Sequence, residues 1–321
     1  VAQHAASSLP ADTALPASST QAPQHAAAQA QIGLWLQQPI DADTAVRIAV
    51  LNNPGLQTQL AQLAAQDAER AQSLTLINPS LTLGRFTNAH EREIERQIGF
   101  SVVSLITLPW RARWQGWQME RNTLNTAQAV LRLAADARRA WLQAVAAQQS
   151  LAAAERMHEA ATAGGELARR MAALGNFSQL QQANELQAQH ETAAQLARAQ
   201  LAAQLAQEDL ARTLGLWGTQ AATLQLPTQL PTLPTAGQLR SGDEAEAIAL
   251  RERLDVRALR HELDTTAERR GVARAGALFG DIGLTYSNNR STDRSNGHRE
   301  STRGWELELP LPIFDWGGSA S

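Results

Sequence analysis

From Trp110 to Leu226 the chain contains no proline, and Ala, Leu, Gln, Arg and Glu dominate it. These are the strong helix formers. The interruption with most chemical logic is Leu174-Gly175-Asn176-Phe177-Ser178. Gly175 suits the left-handed position that ends a helix, and Ser178 suits the cap that starts the next. Gly164-Gly165 is a weaker interruption that only bends the helix. The run therefore predicts a helical hairpin with arms over about 108–174 and 178–214. At 1.5 Å per residue these arms are roughly 100 Å and 55 Å long. Arms of that length belong to a coiled-coil-like architecture and not to an ordinary globular core.

A second pattern flanks the first. Near the C-terminus, Trp305, Leu307, Leu309 and Leu311 fall on one parity, and Gly304, Glu306 and Glu308 on the other. Successive side chains of a strand point to opposite faces, so this strand has one apolar and one acidic face. It suits a half-buried sheet or a barrel wall. Ile282, Leu284 and Tyr286 alternate with Asp281, Gly283, Thr285 and Ser287 in the same way. Ser80 to Thr87 alternates moderately. Ile94, Ile98, Phe100 and Val102 oppose Glu95, Gln97, Gly99 and Ser101, with Arg96 the exception on the apolar parity. The polar stretches 88–93 and 288–303 read as loops.

The pattern also repeats. At an offset of 200, Ala45, Ile48, Ala49, Val50, Leu56 and Leu63 match Ala245, Ile248, Ala249, Leu250, Val256 and Leu263. The expected fold class is α+β, mostly α. It consists of a long antiparallel helical hairpin plus amphipathic strands, in a duplicated unit whose second copy is incomplete. Residues 1–39, rich in Ala, Gln, Ser and Pro, read as a disordered or peripheral leader. Residues 40–226 form the first repeat, with a helix to Leu51, a second helix over about 56–76, strands at about 80–87 and 94–105, and the hairpin at about 108–214. Residues 227–242 are a Pro-rich linker. Residues 243–321 form the second repeat, with a helix over about 243–277 and strands at about 281–287 and 304–311.

Composition excludes several function classes. There is no Cys, which removes disulfides, thiolate metal sites and Cys nucleophiles. A formal net charge of −3 provides no bulk field for nucleic acid. The sequence begins at Val1 with no charged and apolar leader, so it carries no signal peptide as it stands. No stretch is apolar enough for a membrane-spanning helix, so any entry into a bilayer must use a closed barrel. His90, His158 and His261 are scattered and form neither an HExxH motif nor a cluster, so no metal or cofactor site is expected. Glu306 and Glu308 lack a partner base or nucleophile, and no catalytic site is expected there. Trp110, Trp114 and Trp117, at i, i+4 and i+7, share one helix face, which serves either helix packing or an aromatic girdle.

The layout resembles the TolC-like outer membrane factor family over about residues 40–321. Ala45-Val46-Arg47-Ile48-Ala49 with Asn52-Asn53-Pro54 is similar to its opening helix. Arg170 to Ser178 is similar to its hairpin-tip motif. Leu309 to Gly318, with Phe314-Asp315-Trp316, is similar to the entry into its second hairpin.

The resemblance implies a homotrimer in the outer membrane of a Gram-negative bacterium, extending into the periplasm. Each protomer would give four strands to a shared β-barrel. A periplasmic adaptor and, through it, an inner-membrane pump would be the partners, with efflux of toxic compounds or metal ions as the function. The adaptor would dock at the tip, on Arg170, Leu174, Gly175, Asn176, Phe177, Ser178 and Leu180. Glu306 and Glu308 would face the lumen. Trp110, Trp114, Trp117, Tyr286 and Trp305 would sit at lipid interfaces. The sequence departs from the family in lacking a signal peptide, a lipid-anchoring Cys and the second hairpin. The weaker alternative is a periplasmic coiled-coil adaptor or scaffold, against which the duplicated helix–strand–strand layout argues.

Overall fold

The computed structural model describes residues 1, 5, 9–10, 13, 22–75, 78–232, 245–279 and 282–309. The linker from 233 to 242 and the stretch from 310 to 321, with Leu311 and Phe314 to Gly318, lie outside the described residues. Contacts divide the chain into two units: Val1–Leu63 with Asn125–Ala249, and Ala64–Leu124 with Leu250–Ser321.

The first unit is helical. Helix α1 spans Ala22–Trp35 and α2 spans Ala42–Asn52. Asp41 caps α2, its carboxylate accepting from the Thr44 amide at 2.7 Å. Partial burial raises the pKa of this carboxyl, but the Thr44 hydrogen bonds and the Arg47 charge outweigh it and hold the group below the usual carboxylate range. Asn53 then caps α3 (Pro54–Ser73) by accepting from the Leu56 amide at 3.1 Å. The core gathers Val46, Ile48 and Val50 of α2 with Leu210 and Leu214 of α5 (Gln179–Leu214). Val130, Ala137, Trp141 and Val145 of α4 (Val102–Ala173) join them.

Ile32, Leu36 and Ile40 are buried in the same core. The burial of Ile32 and Leu36 corrects the expectation of a peripheral leader for this part of 1–39. Ile32 and Leu36, at the end of α1, are four apart and share a face, and Ile40 follows in the non-helical connection to α2. They complete a core made by other segments, so average composition hid them. The Trp141 indole donates to the Ile40 carbonyl at 2.8 Å, and the Ile40 amide donates to the Gln225 carbonyl at 3.1 Å.

The hairpin arms are α4, of 72 residues, and α5, of 36. Helix α4 runs on through Gly164-Gly165. At Gly165 the nearest atom of the other arm to an added Cβ would be Gln189 Oε1 at 2.8 Å, the end of a flexible side chain. Helix α5 ends at Gly215, φ 71°, with Leu216 bonded to the Ala211 carbonyl at 2.8 Å and Gly215 to the Arg212 carbonyl at 3.0 Å. These two bonds make a Schellman ending. Asn52 packs on it. Its Nδ2 donates to the Gly215 carbonyl at 2.7 Å, and Asn53 Nδ2 donates to the Thr213 carbonyl at 3.0 Å. The Asn52-Asn53-Pro54 triplet therefore starts α3 and also ties down the end of α5. A short turn of helix, α6 (Thr219–Ala222), follows.

The second unit carries the sheet. Helices α7 (Ala245–Glu252) and α8 (Leu254–Phe279) are separated at Arg253. The first copy breaks at Asn53, at the same offset of 200. The Arg253 guanidinium beside Asp255 holds that carboxyl down at about 2. Arg121 of α4 pairs with Glu262 of α8 at 3.5 Å, and Asn122 donates to Gln66 of α3 at 2.8 Å.

Strands β1 (Ser80–Thr87), β2 (Glu91–Ser101), β3 (Gly283–Asp293) and β4 (Arg299–Glu308) form one antiparallel sheet in the order β1-β2-β3-β4. Several boundaries differ from expectation: strand β2 already begins at Glu91, inside the stretch 88–93 expected as a loop, and the single helix expected over about 243–277 is broken at Arg253. Strand β2 ends at Ser101, not near 105, and the helix starts at Val102, not near 108. Here Ser101 accepts from the Ser104 amide at 3.4 Å, and the Val102 amide donates to the Ile282 carbonyl at 2.9 Å. Pro109 falls inside this first stretch of helix. The Arg111 guanidinium, donating to the Ser104 carbonyl at 2.9 Å, and the Thr107 hydroxyl, donating to Val103 at 2.7 Å, satisfy carbonyls of this stretch. The stretch 288–303 differs as well. It is mostly strand, closed by a short turn where Gly297 has φ 71°.

Candidate functional site: a two-faced sheet and a hairpin tip

Residues paired directly across a sheet share a face, so the register sorts every strand residue. Leu81 pairs with Ile98, Ile98 with Tyr286, and Tyr286 with Trp305. Phe100 pairs with Leu284, and Leu284 with Leu307. These two rows form an apolar band on one face. The Tyr286 and Trp305 rings lie 5.1 Å apart, tilted by 55°. The band is not a core face. Leu81 is 64% exposed, Trp305 67% and Leu307 58%. Soluble monomers rarely expose a contiguous apolar patch of this kind.

The opposite face is polar and acidic. Glu306 pairs with Thr285, Thr285 with Gly99, and Gly99 with Ser80. Glu308 lies two residues further along, opposite Gly283. Alternation puts Glu91, Glu93 and Glu95 of β2, Asp293 of β3 and Glu300 of β4 on this same face. The expectation of loops over 88–93 and 288–303 conceals Glu91, Glu93, Asp293 and Glu300, which the sheet puts on this face. The only warning was the alternation of Arg299, Ser301 and Arg303 with polar residues. The sheet brings Glu306 and Glu308 together with Tyr286 and Trp305, but on opposite sides of its plane.

The three tryptophans stand apart from this band. Trp110 is exposed, and Trp114 and Trp117 are half-buried. Trp114 lines a polar cleft of about 470 Å³ with Gln66, Glu69, Arg70 and Ser73 of α3 and Arg121 of α4. Among the described residues, no group of three or more His, Asp or Glu is placed to hold a metal ion.

The hairpin tip is built by two local devices. Gly175, φ 78°, closes α4 with a Schellman pair: Asn176 bonds to the Met171 carbonyl at 2.9 Å and Gly175 to the Ala172 carbonyl at 3.0 Å. Ser178 opens α5 with a capping box. The Gln181 amide donates to the Ser178 hydroxyl at 3.2 Å, and the Ser178 amide donates to the Gln181 side chain at 2.9 Å. Leu174 and Leu180 are 76% and 71% exposed on either side of this turn. Phe177 is half-buried. Arg170 is tied to Glu166 at 2.9 Å, and that pairing keeps the Glu166 carboxyl below its ordinary range. The tip residues named from sequence thus come together around one capped turn, with Leu174 and Leu180 exposed on either side.

No protein-family model matches the sequence. No curated protein is significantly similar to it. Solved structures do match. A membrane protein from Pseudomonas aeruginosa superposes with TM-score 0.66 at 21% identity, over 88% of this chain and 69% of that one. CusC, a transmembrane channel former, gives 0.67 at 17%, over 90% and 69%. The CmeC outer membrane channel of Campylobacter jejuni gives 0.65 at 17%, over 86% and 62%. The chain thus spans between 62% and 71% of the length of these and similar structures. Helical hairpin, repeated helix–strand layout and four-stranded sheet together give this chain the TolC-like fold of the outer membrane channels.

Proposed function

We propose that this chain is the outer membrane channel component of a tripartite efflux or secretion system, exporting small toxic compounds or metal ions. The observation that carries this reading is the sheet, with an exposed apolar band on one face and acids on the other. In water such a sheet would aggregate through its exposed edges and its apolar face. Closed into a barrel in lipid, it has neither problem. Strands β1 and β4 are antiparallel edges, so β4 of one copy can pair with β1 of the next without breaking the up-and-down order. Three copies then give a twelve-stranded wall with the apolar band in lipid. Glu306 and Glu308 line the lumen, where their charge favours cations. Tyr286 and Trp305 form an interfacial aromatic pair. Among the described residues no helix is long and apolar enough to cross a membrane.

The tip is the adaptor-docking element in this reading. Leu174 and Leu180 are the apolar anchors, and the Gly175 and Ser178 caps hold them in place. Gly175→Pro in the full-length protein should break the Schellman turn, and Ser178→Arg should remove the cap and add a bulky charge. Both are expected to lower site-specific crosslinking to the adaptor by about tenfold, equivalent to roughly 1.4 kcal/mol, and to reduce resistance, with trimer yield unchanged. Unchanged crosslinking and resistance would remove the docking assignment. Neighbouring pump genes would name the cargo class, since the pump selects what is exported.

A further inference from the structure

The apolar face of the sheet does not stay apolar. Beyond the Tyr286–Trp305 row, it carries Arg303, which pairs with Asn288, and Arg96, which pairs with Leu83. The next row holds Arg85 and Arg290 on either side of Ile94, and the row after that holds Arg92 and Arg299 on either side of Thr292. Every arginine of the four strands is on this face, and every Glu and Asp of the strands is on the other. All six arginines are exposed. Among the described residues none of them forms an ion pair.

An ordinary solvated face mixes both signs of charge, because like charges on neighbouring strands repel. Here six guanidinium groups are concentrated on one face, with the sheet itself between them and the acids. They begin about 7 Å along β4 from Trp305 and end about 20 Å from it, at 3.4 Å per residue. They therefore continue the lipid-facing band without interruption, just past the aromatic row that marks an interface. Guanidinium groups match phosphate oxygens in bidentate geometry.

From this arrangement we propose that the arginine rows bind the phosphate groups of the membrane lipid surrounding the barrel in the outer leaflet. The proposal rests on the barrel reading above, which puts this face toward lipid. The lipid supplies the negative charge that the sheet lacks on this side, and the arginines hold the barrel at a defined depth.

The test uses the full-length protein purified in a neutral detergent. Retention of bisphosphorylated lipid A is measured by native mass spectrometry. The wild-type trimer should bind lipid A more tightly than monophosphoryl lipid A, and 10-fold excess inorganic phosphate should not displace it. Removing a basic side chain at an anionic surface costs roughly fivefold. The triple variant Arg96→Gln, Arg290→Gln, Arg303→Gln should therefore lose roughly a hundredfold at low salt. The triple variant Glu95→Gln, Glu300→Gln, Glu306→Gln should not lose affinity.

Equal binding by the arginine variant, equal loss by the acidic-face variant, or displacement by inorganic phosphate overturns the proposal. If the arginine variant does not assemble, the wild-type comparison of the two lipids decides, and equal affinities reject it. A wild type that fails to form a membrane-inserted trimer would sink the barrel reading too. A trimer indifferent to lipid phosphate sinks only this inference.

Discussion

Leu307→Arg is expected to remove the protein from the outer membrane, while Glu308→Arg, one residue away, is expected to leave assembly intact. Leu307 lies in the apolar band beside Leu284, and Glu308 projects from the other face opposite Gly283. A guanidinium on the lipid face of a barrel costs about 2–4 kcal/mol at the midplane and less toward the interface, and Leu307 lies two residues inside the Trp305 row. In a trimer that cost is incurred three times. On the lumen side water solvates the same group, and the cost is close to zero. Heat-resistant trimer in outer membrane fractions is the readout. The contrast between adjacent residues is what matters, and the readout is the membrane-inserted trimer because a sheet over a soluble core would show the same order in stability without inserting. Equal assembly of the two variants would contradict the assigned faces.

The second large effect concerns the helical unit. Gly215→Ala should destabilise it by about 2–4 kcal/mol, because two costs combine. The residue has φ 71°, which an L side chain rarely adopts, and a Cβ there would lie 2.7 Å from the Asn52 carbonyl oxygen. Moving Asn52 away would loosen its bonds to the Leu214 and Gly215 carbonyls and the one it accepts from Gln29 at 2.7 Å. Gly175→Ala is the internal control. Its φ is 78°, but no atom lies within 4 Å of the added carbon. It should cost only the backbone strain, about 1 kcal/mol. Denaturant unfolding of both variants checks this, and equal losses would mean that the close approach to Asn52 contributes nothing.

Much of this architecture was legible in the sequence because local chemistry decides it. The absence of proline over 110–226 and the Gly175/Ser178 pair specify a helical hairpin and its turn, since each cap acts within a few residues. The offset of 200 reappears as matched helix breaks at Asn53 and Arg253. What was missed depends on partners far along the chain. Ile32, Leu36 and Ile40 are too few to form a core alone and gain their role from α2, α4 and α5. Residues 288–303 looked like a loop because Asn, Ser and Arg have low strand propensity. In the sheet they pair with β2 and with each other, and register overrides propensity. Arg96, an exception to the apolar alternation when read alone, becomes one of six aligned arginines once the register is known. The close packing of Asn52 on Gly215 spans 163 positions, and spacing alone could not have indicated it.

The central claim is that the four strands are a barrel wall with Trp305 and Leu307 in lipid and Gly304, Glu306 and Glu308 in a water-filled lumen. Residues 1–321 contain no cysteine, so single cysteines would be placed at 304 through 308 in turn in a full-length background cleared of any other thiol. The full-length variants would be reconstituted in lipid and treated with a membrane-impermeant maleimide. Rapid labelling is expected at 304, 306 and 308 and protection at 305 and 307, with the protected positions quenched by nitroxide-labelled lipid. Labelling that does not alternate with a period of two, or lipid quenching at 306, would contradict the account.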